Sequence, residues 1–304
     1  MRVFVAGGSG VMGRRLVPQL VAKGHQVTAT TTSAAKLGLL EQLGADGVVV
    51  DGLDAAGVGE AVAAARPDVI VNQMTGLSEA HAGKPNLRNA SRFFEMTNRL
   101  RSEGNDHLLA AAEATGVDHF VAQSHASMNG RREGGWVKTE EDPLEVIEGT
   151  KAVEHLEEAV VCAGGVVLRY GGFYGPGAWD DQLGLVRKRL VPLVGGGSGY
   201  TSWVHIDDAA GATVLAVEQR ATGVYNIVDD EPAPASEWLP YLAECAGAKP
   251  PRRLPAWLVR LLAGEMAVGM LTQGRGFSNA KAKRELGWEL RYPSWRLGFK
   301  EVLA

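Results

Sequence analysis

Met1-Arg-Val-Phe-Val-Ala-Gly-Gly-Ser-Gly-Val-Met-Gly13 decides how this chain is read. Residues 2–6 are a short apolar run, Gly7, Gly10 and Gly13 follow at three-residue spacing, and 14–23 continue with helical character. A strand, a glycine turn and a helix in that order build a phosphate site from backbone alone. Glycine lacks the Cβ that would hold a pyrophosphate off the main chain, and the N–H groups of a helix start point at the anion. A glycine triplet alone fits any tight strand-to-helix turn. With the strand before it and the helix after it, the stretch predicts a dinucleotide site built from Gly7, Ser9, Gly10, Val11, Met12 and Gly13.

Outward from this stretch the chain keeps the same rhythm. Short β runs at 26–31, 47–50, 68–71, 118–123 and 165–169 alternate with helical runs at 34–43, 55–65, 92–115 and 145–163. Such alternation implies right-handed crossovers and a parallel sheet, so the fold class is α/β, a doubly wound Rossmann sheet. After Arg169 the regularity weakens. Residues 171–177 and 195–199 are rich in glycine, and Pro232, Pro234, Pro240, Pro250, Pro251 and Pro255 punctuate short helices. Six of the seven tryptophans lie from Trp179 onward, so this part has large apolar groups of its own to bury. The expected organisation is a dinucleotide-binding domain over 1–169 and a smaller substrate-binding lobe over 170–304, with 200–228 returning to the first domain.

Composition narrows the partners. A net charge of −4 in 304 residues offers no electrostatic footprint for nucleic acid or an anionic membrane surface. No apolar run approaches the length of a membrane span, and the chain opens on a strand rather than a signal peptide, so a cytoplasmic location is expected. Cys162 and Cys245 stand far apart, too few and too separate for a metal site or a disulfide framework, and are read as small buried hydrophobes.

Further motifs follow in order. They are Asp51-Gly-Leu-Asp54, Asn98 with Gly104, Phe120-Val-Ala-Gln-Ser124, Arg169-Tyr-Gly-Gly-Phe-Tyr-Gly-Pro-Gly177, Trp203-Val-His-Ile-Asp-Asp208 and Tyr225-Asn226. Together with the glycine spacing they resemble the extended short-chain dehydrogenase/reductases, the NAD-dependent epimerase/dehydratase family, over nearly the whole chain. The resemblance implies an adenine-contacting turn at Asp51, Gly52 and Leu53. It implies further cofactor contacts at Gln73, Met74, Lys151, Tyr170 and Gly172, a small-molecule substrate, and a homodimer formed through the helices at 92–115 and 145–163. Bland roles compete at single residues: Asp54 and Asp207 can each cap the helix that follows, and His205 can be a packed, hydrogen-bonded residue.

Whether the cofactor carries a 2′-phosphate is read at the end of the second strand. An acid there would bind the ribose hydroxyls of NAD and repel a 2′-phosphate. From Val27 to Lys36 there is none; Thr31, Thr32 and Ser33 offer hydroxyls and Lys36 a charge. Ser33 alternatively caps the helix that follows. NADP(H) is favoured over NAD(H), although no arginine is present to settle the choice.

The proton path is altered. The family's chemistry uses a tyrosine four residues before a lysine on one helix, where the ammonium lowers the phenol pKa. Gly149-Thr-Lys-Ala-Val-Glu154 resembles the segment around that lysine and puts Lys151 in its place. Four residues earlier stands Ile147, and all six tyrosines lie at Tyr170 or later. Counting back from Gly130, the serine position of the family falls on His125, with Ser124 before it and Ser127 after it. His125 ranks first as replacement donor, because imidazole titrates near neutral pH, and is equally readable as a hydrogen-bonded loop residue. Tyr174 and then Ser124 follow; Tyr170 and Tyr174 sit at the end of the sixth strand, where a phenol could approach from the far side of the substrate. The loop 76–91, with His81, Lys84 and Arg88, and the second lobe would shape the pocket.

The expected activity is NAD(P)-dependent reduction of a small-molecule C=O, C=C or C=N group that needs little acid assistance, such as an iminium or an activated enone. The alternatives are an inactive NAD(P)H-binding sensor and a non-redox enzyme that keeps the cofactor as a structural element.

Overall fold

A computed structural model describes residues 1–77, 90–126, 134–143, 145 and 150–304. Among them, seven strands form one parallel sheet. These are β1 (Arg2–Ala6), β2 (Gln26–Thr31), β3 (Asp46–Val49), β4 (Val69–Asn72), β5 (Phe120–His125), β6 (Val166–Tyr170) and β7 (Gly223–Ile227). Their spatial order is β7-β6-β5-β4-β1-β2-β3. The order reverses at β1 and β4, so a crevice opens at the carboxyl ends of these two strands.

Helices cover both faces. On one side α1 (Gly13–Ala22) packs through Leu16, Val17 and Leu20, beside Ala209, Ala212 and Ala216 of the helix Ile206–Glu218. On the other side lie Ala55–Ala65 with Val58 and Val62, Asn105–Thr115 with Leu108, and Lys151–Cys162 with Leu156 and Val160. The central strands read as nearly unbroken apolar runs because both of their faces are covered. Residues 203–227 return to this sheet: Val204, Ile206, Tyr225 and Ile227 are buried in its core.

The remaining C-terminal segments form a second core on aromatic groups. Trp179, Trp203, Trp238, Trp295 and Phe299 pack there with Tyr174 and Leu239. Trp288 instead joins the sheet core, and Trp257 stays exposed, so the tryptophans divide between environments. The cysteines are not buried as expected: Cys162 is exposed at the end of its helix and Cys245 is half-buried.

Several boundaries differ from the sequence reading. The helix expected at 34–43 opens with a tight turn, Ala34–Lys36, before Leu37–Gln42. The long helix runs as Ala90–Arg99, a wide π turn at Leu100–Gly104, and Asn105–Thr115. Its backbone passes so near the Asp51–Leu53 turn that a Cβ on Gly104 would lie 3.2 Å from the Gly52 carbonyl oxygen. The helix after β-segment Trp203–His205 is capped by His205, whose Nδ1 accepts from the Asp207 amide, so Asp207 is not the cap. Asp54 does cap its helix, accepting from the Gly57 amide. None of the helices among the described residues is long and apolar enough to cross a membrane.

Candidate functional site

The glycine turn is built as tightly as a phosphate cradle requires. Gly7 has φ +86°, and a Cβ on it would stand 2.8 Å from the Gln73 carbonyl oxygen. A Cβ on Gly8 would meet Ala29 at 2.6 Å, and one on Gly13 would meet the Gly8 carbonyl oxygen at 2.4 Å. The Gly10 amide closes the turn on the Gly7 carbonyl at 3.0 Å. The Arg14 amide donates to the Gly10 carbonyl and the Arg15 and Leu16 amides to the Met12 carbonyl, and the first turn of α1 carries no acid to compete with an anion. Val11 is exposed, whereas the Met12 side chain is buried in the sheet core and leaves only its backbone to serve. The cradle that added Cβ atoms would fill fits a pyrophosphate.

At the end of β2 the three hydroxyls differ. Thr31 is buried, and its Oγ1 already accepts from the Ser9 hydroxyl at 3.0 Å and from the Ser33 amide at 3.3 Å, so it ties loop to loop rather than facing a ligand. Thr32 and Lys36 are exposed; Ser33 is half-buried and makes no capping bond. Beyond β3, the Asp51 carboxylate accepts from the Leu53 amide at 3.0 Å. Gly52 is pinned against Met74, whose Sδ would lie 2.4 Å from an added Cβ.

Two expected cofactor contacts belong to the packing. The Gln73 side-chain amide donates to the Tyr170 phenol oxygen (3.3 Å), which lies 2.6 Å from Thr213 Oγ1, and Thr213 donates to the Ala209 carbonyl. Burial pushes the Tyr170 phenol up to about 12, so Tyr170 does not titrate near neutrality, and its hydroxyl is engaged by Gln73 and Thr213. Gly172 lies against the Trp203 ring, 3.1 Å from where a Cβ would be. Gln73 Oε1, by contrast, is buried without a partner among the described residues, an acceptor at the switch point of the sheet.

The carboxyl end of β5 is built from charges. Ser124 donates to Glu157 Oε1 at 2.6 Å, and Arg169 grips both oxygens of the same carboxylate through Nε (3.0 and 3.1 Å) and Nη2 (2.6 Å). All three are buried, so the Ser124 proton is committed to Glu157, which removes it as a proton donor. His125 ends the strand half-buried. Burial first, then the positive charges of Arg101 and Arg169, push its imidazole well below the usual histidine range. It is neutral at neutral pH, and the imidazolium expected as an acid is not populated. Lys151 opens its helix with the side chain exposed. Tyr174 is wholly enclosed by Trp179, Phe299 and His205; burial, then Asp229, raises its phenol pKa, and it is a core residue rather than a donor. Ser127, Gly130, Ile147, Glu148, Gly149, His81, Lys84 and Arg88 lie outside the described residues.

Glu157 and Arg101 are absent from the sequence reading, although a signal for both exists. Glu157 falls in the stripe Val153, Leu156, Val160, and Arg101 in the stripe Gly104, Asn105, Leu108, which are the inward faces of their helices. A charge on an inward stripe marks either a buried pair or a site. Among the described residues no group of acids, histidines and cysteines could hold a metal ion.

Residues 3–228 match the family described as the NAD dependent epimerase/dehydratase family. The chain is 43% identical to a 3-diazoavenalumate denitrifying reductase of Streptomyces sp, over 98% of this chain and 99% of that protein. It is 31% identical to a 2-alkyl-3-oxoalkanoate reductase of Stenotrophomonas maltophilia, over 82% of this chain and 76% of that protein. The crystal structure of human epimerase family protein SDR39U1 (isoform 2) with NADPH has the same fold, with a TM-score of 0.76 and 23% identity over 100% of this chain and 99% of that one.

Proposed function

Because this chain belongs to the NAD dependent epimerase/dehydratase family, we propose that it is an NAD(P)-dependent reductase whose acceptor takes a hydride without a proton from the protein. The substrate class is an aromatic diazo compound, reduced with loss of dinitrogen. The observation that carries this reading is Ile147 four residues before Lys151, with every tyrosine at 170 or later. The remaining donors weigh the same way: Tyr170 and Tyr174 are buried, Ser124 is bonded to Glu157, and His125 is neutral. The relative at 43% identity is, by its name, a reductase that removes nitrogen from a diazo compound.

The chemistry is consistent with such a site. Carbonyl reduction makes an alkoxide and calls for an acid. Hydride added to the carbon of an aryl diazonium forms a C–H bond while the C–N bond breaks and its electron pair leaves with dinitrogen. Cation plus hydride gives two neutral products, so no protein proton is consumed. When bound, the reduced nicotinamide supplies the hydride. The chain's part is to hold and orient. Gly7, Gly8 and Gly13 leave the main chain bare for the pyrophosphate, and Gln73 Oε1 is an acceptor for a ribose hydroxyl or a carboxamide N–H. Neutral His125 lines the reaction end without titrating there.

NADP(H) is the cofactor of this reading. Ser33 and Lys36, with no carboxylate from 26 to 36, favour a 2′-phosphate, and the related human protein was crystallised with NADPH. The location is cytoplasmic, and a homodimer would pair through the helices of 90–115 and 151–162.

The test is nicotinamide consumption with aryl diazonium acids, ketones, enones and imines, corrected for the uncatalysed reaction, with dinitrogen and deuterium transfer from labelled NADPH measured together. Deuterium on the ring carbon with one dinitrogen per NADPH is expected. The rate should stay flat from about pH 6 to 8, because no imidazolium or phenol supplies a proton. Turnover of ketones alone, or a rate that falls as pH rises across that window, would overturn the reading; tight NADPH binding with no turnover would point to a sensor.

A further inference from the structure

Among the described residues, Arg101 is a buried charge without a counter-charge of its own. It is 7% exposed, and its Nε has no hydrogen-bond partner among the described residues. Glu157 attracts it through space, but that carboxylate is already occupied by Ser124 on one oxygen and by Arg169 on both. The cluster of Ser124, Glu157, Arg169 and Arg101 therefore holds two guanidinium charges against one carboxylate. Burial lowers the Arg101 pKa to about 10, which still leaves it charged at neutral pH. Arginine is almost never buried unless paired, because an uncompensated charge in a poorly solvated site is costly. What this cluster lacks among the described residues is one anion.

Its position says where that anion comes from. Arg101 lies in the π turn Leu100–Gly104, and such wide turns occur frequently at functional sites. Its charge reaches His125, the last residue of β5. In the sheet order β5 is separated from β1 by β4, so Arg101 belongs to the reaction end and not to the pyrophosphate turn after β1. A guanidinium presents two parallel N–H donors that match a carboxylate.

We propose that Arg101 is the anion-binding residue of the substrate site and takes a carboxylate of the substrate through its guanidinium. The diazo-reductase reading supplies the reaction of that substrate, whereas anion binding is a property of the folded protein with cofactor bound. Arg101 then selects aromatic acids over their esters and amides, and the bound carboxylate supplies the counter-charge the cluster lacks.

The experiment titrates NADP+-saturated protein with para-hydroxycinnamate and with its neutral methyl ester, following tryptophan fluorescence, in the wild type, Arg101→Met and Arg101→Lys. The acid should bind the wild type well above the ester. Arg101→Met should weaken the acid by about 30-fold and leave the ester unchanged, as expected for loss of a charged hydrogen bond, with Arg101→Lys between them. NADP+ affinity should be unchanged, and Arg101→Met should melt no lower than the wild type without ligand, since it relieves an unpaired buried charge. Equal binding of acid and ester, or a loss confined to NADP+ binding, would overturn the proposal. So would a lower melting temperature for both variants, which would make Arg101 a structural partner of Glu157. If no diazonium is turned over but the acid still binds through Arg101, the reductase reading falls and this one stands.

Discussion

The glycine turn after β1 and the carboxyl end of β5 open on the same edge of the sheet, two strands apart, and are built in opposite ways. The turn is bare backbone: three glycines whose absent Cβ atoms leave room that nearby carbonyls would otherwise deny. The end of β5 is made of side chains that reach from three separate elements, with Glu157 at the centre and Ser124 and Arg169 fastened to it. A site made of backbone tolerates almost no change within a few adjacent residues. A site made of distant side chains can be rewired one residue at a time, and here Ile147 stands four residues before Lys151 while the glycine turn is complete.

Glu157→Gln probes the side-chain region most strongly. It leaves Arg169 and Arg101 as buried cations with no anion, and stability in urea should fall by about 3–5 kcal/mol. A loss under about 1 kcal/mol would mean that the cluster is solvated rather than closed. Gly13→Ala probes the backbone region: the added methyl meets the Gly8 carbonyl at 2.4 Å, so the turn must open. Stability should drop by about 1–3 kcal/mol, and cofactor binding by titration calorimetry should disappear. Retained affinity would show that the turn is not the cradle. The smallest effect belongs to the exposed rim, where Lys36→Ala should weaken NADPH by about threefold without changing NADH, since an exposed charge contributes under about 1 kcal/mol. An equal loss for both cofactors would remove Lys36 from the 2′-phosphate.

The same contrast explains what was legible in the sequence. The strands of the sheet and the turn between β1 and α1 are local patterns, and they were readable to within a residue or two. The family resemblance stood on such patterns and was sound. Tyr174 shows the limit: its place in a glycine-rich loop at the end of β6 suggested a ligand contact. Its ring is instead held by Trp179 and Phe299, and Phe299 lies more than a hundred residues away in sequence. Ser124 and Tyr170 meet partners of the same distant kind, since Glu157 and Thr213 engage their hydroxyls from other elements. His125 ends β5, where burial and two guanidiniums displace its titration, and neither is visible in the residues beside it. Arg101 and Glu157 were detectable as charges on inward helix stripes, a pattern that asks for the periodicity to be checked for its exceptions.

One hydroxyl links the two sides of the dinucleotide cradle. Thr31 accepts from Ser9, in the glycine turn, and from the Ser33 amide, in the loop beside the expected 2′ position. Affinity for the shared part of the cofactor and discrimination between its two forms are therefore not separable modules. A specificity loop grafted from another protein at 32–36 would have to carry a hydroxyl at 31 with it, or Ser9 would lose its anchor and both cofactors would be bound less well.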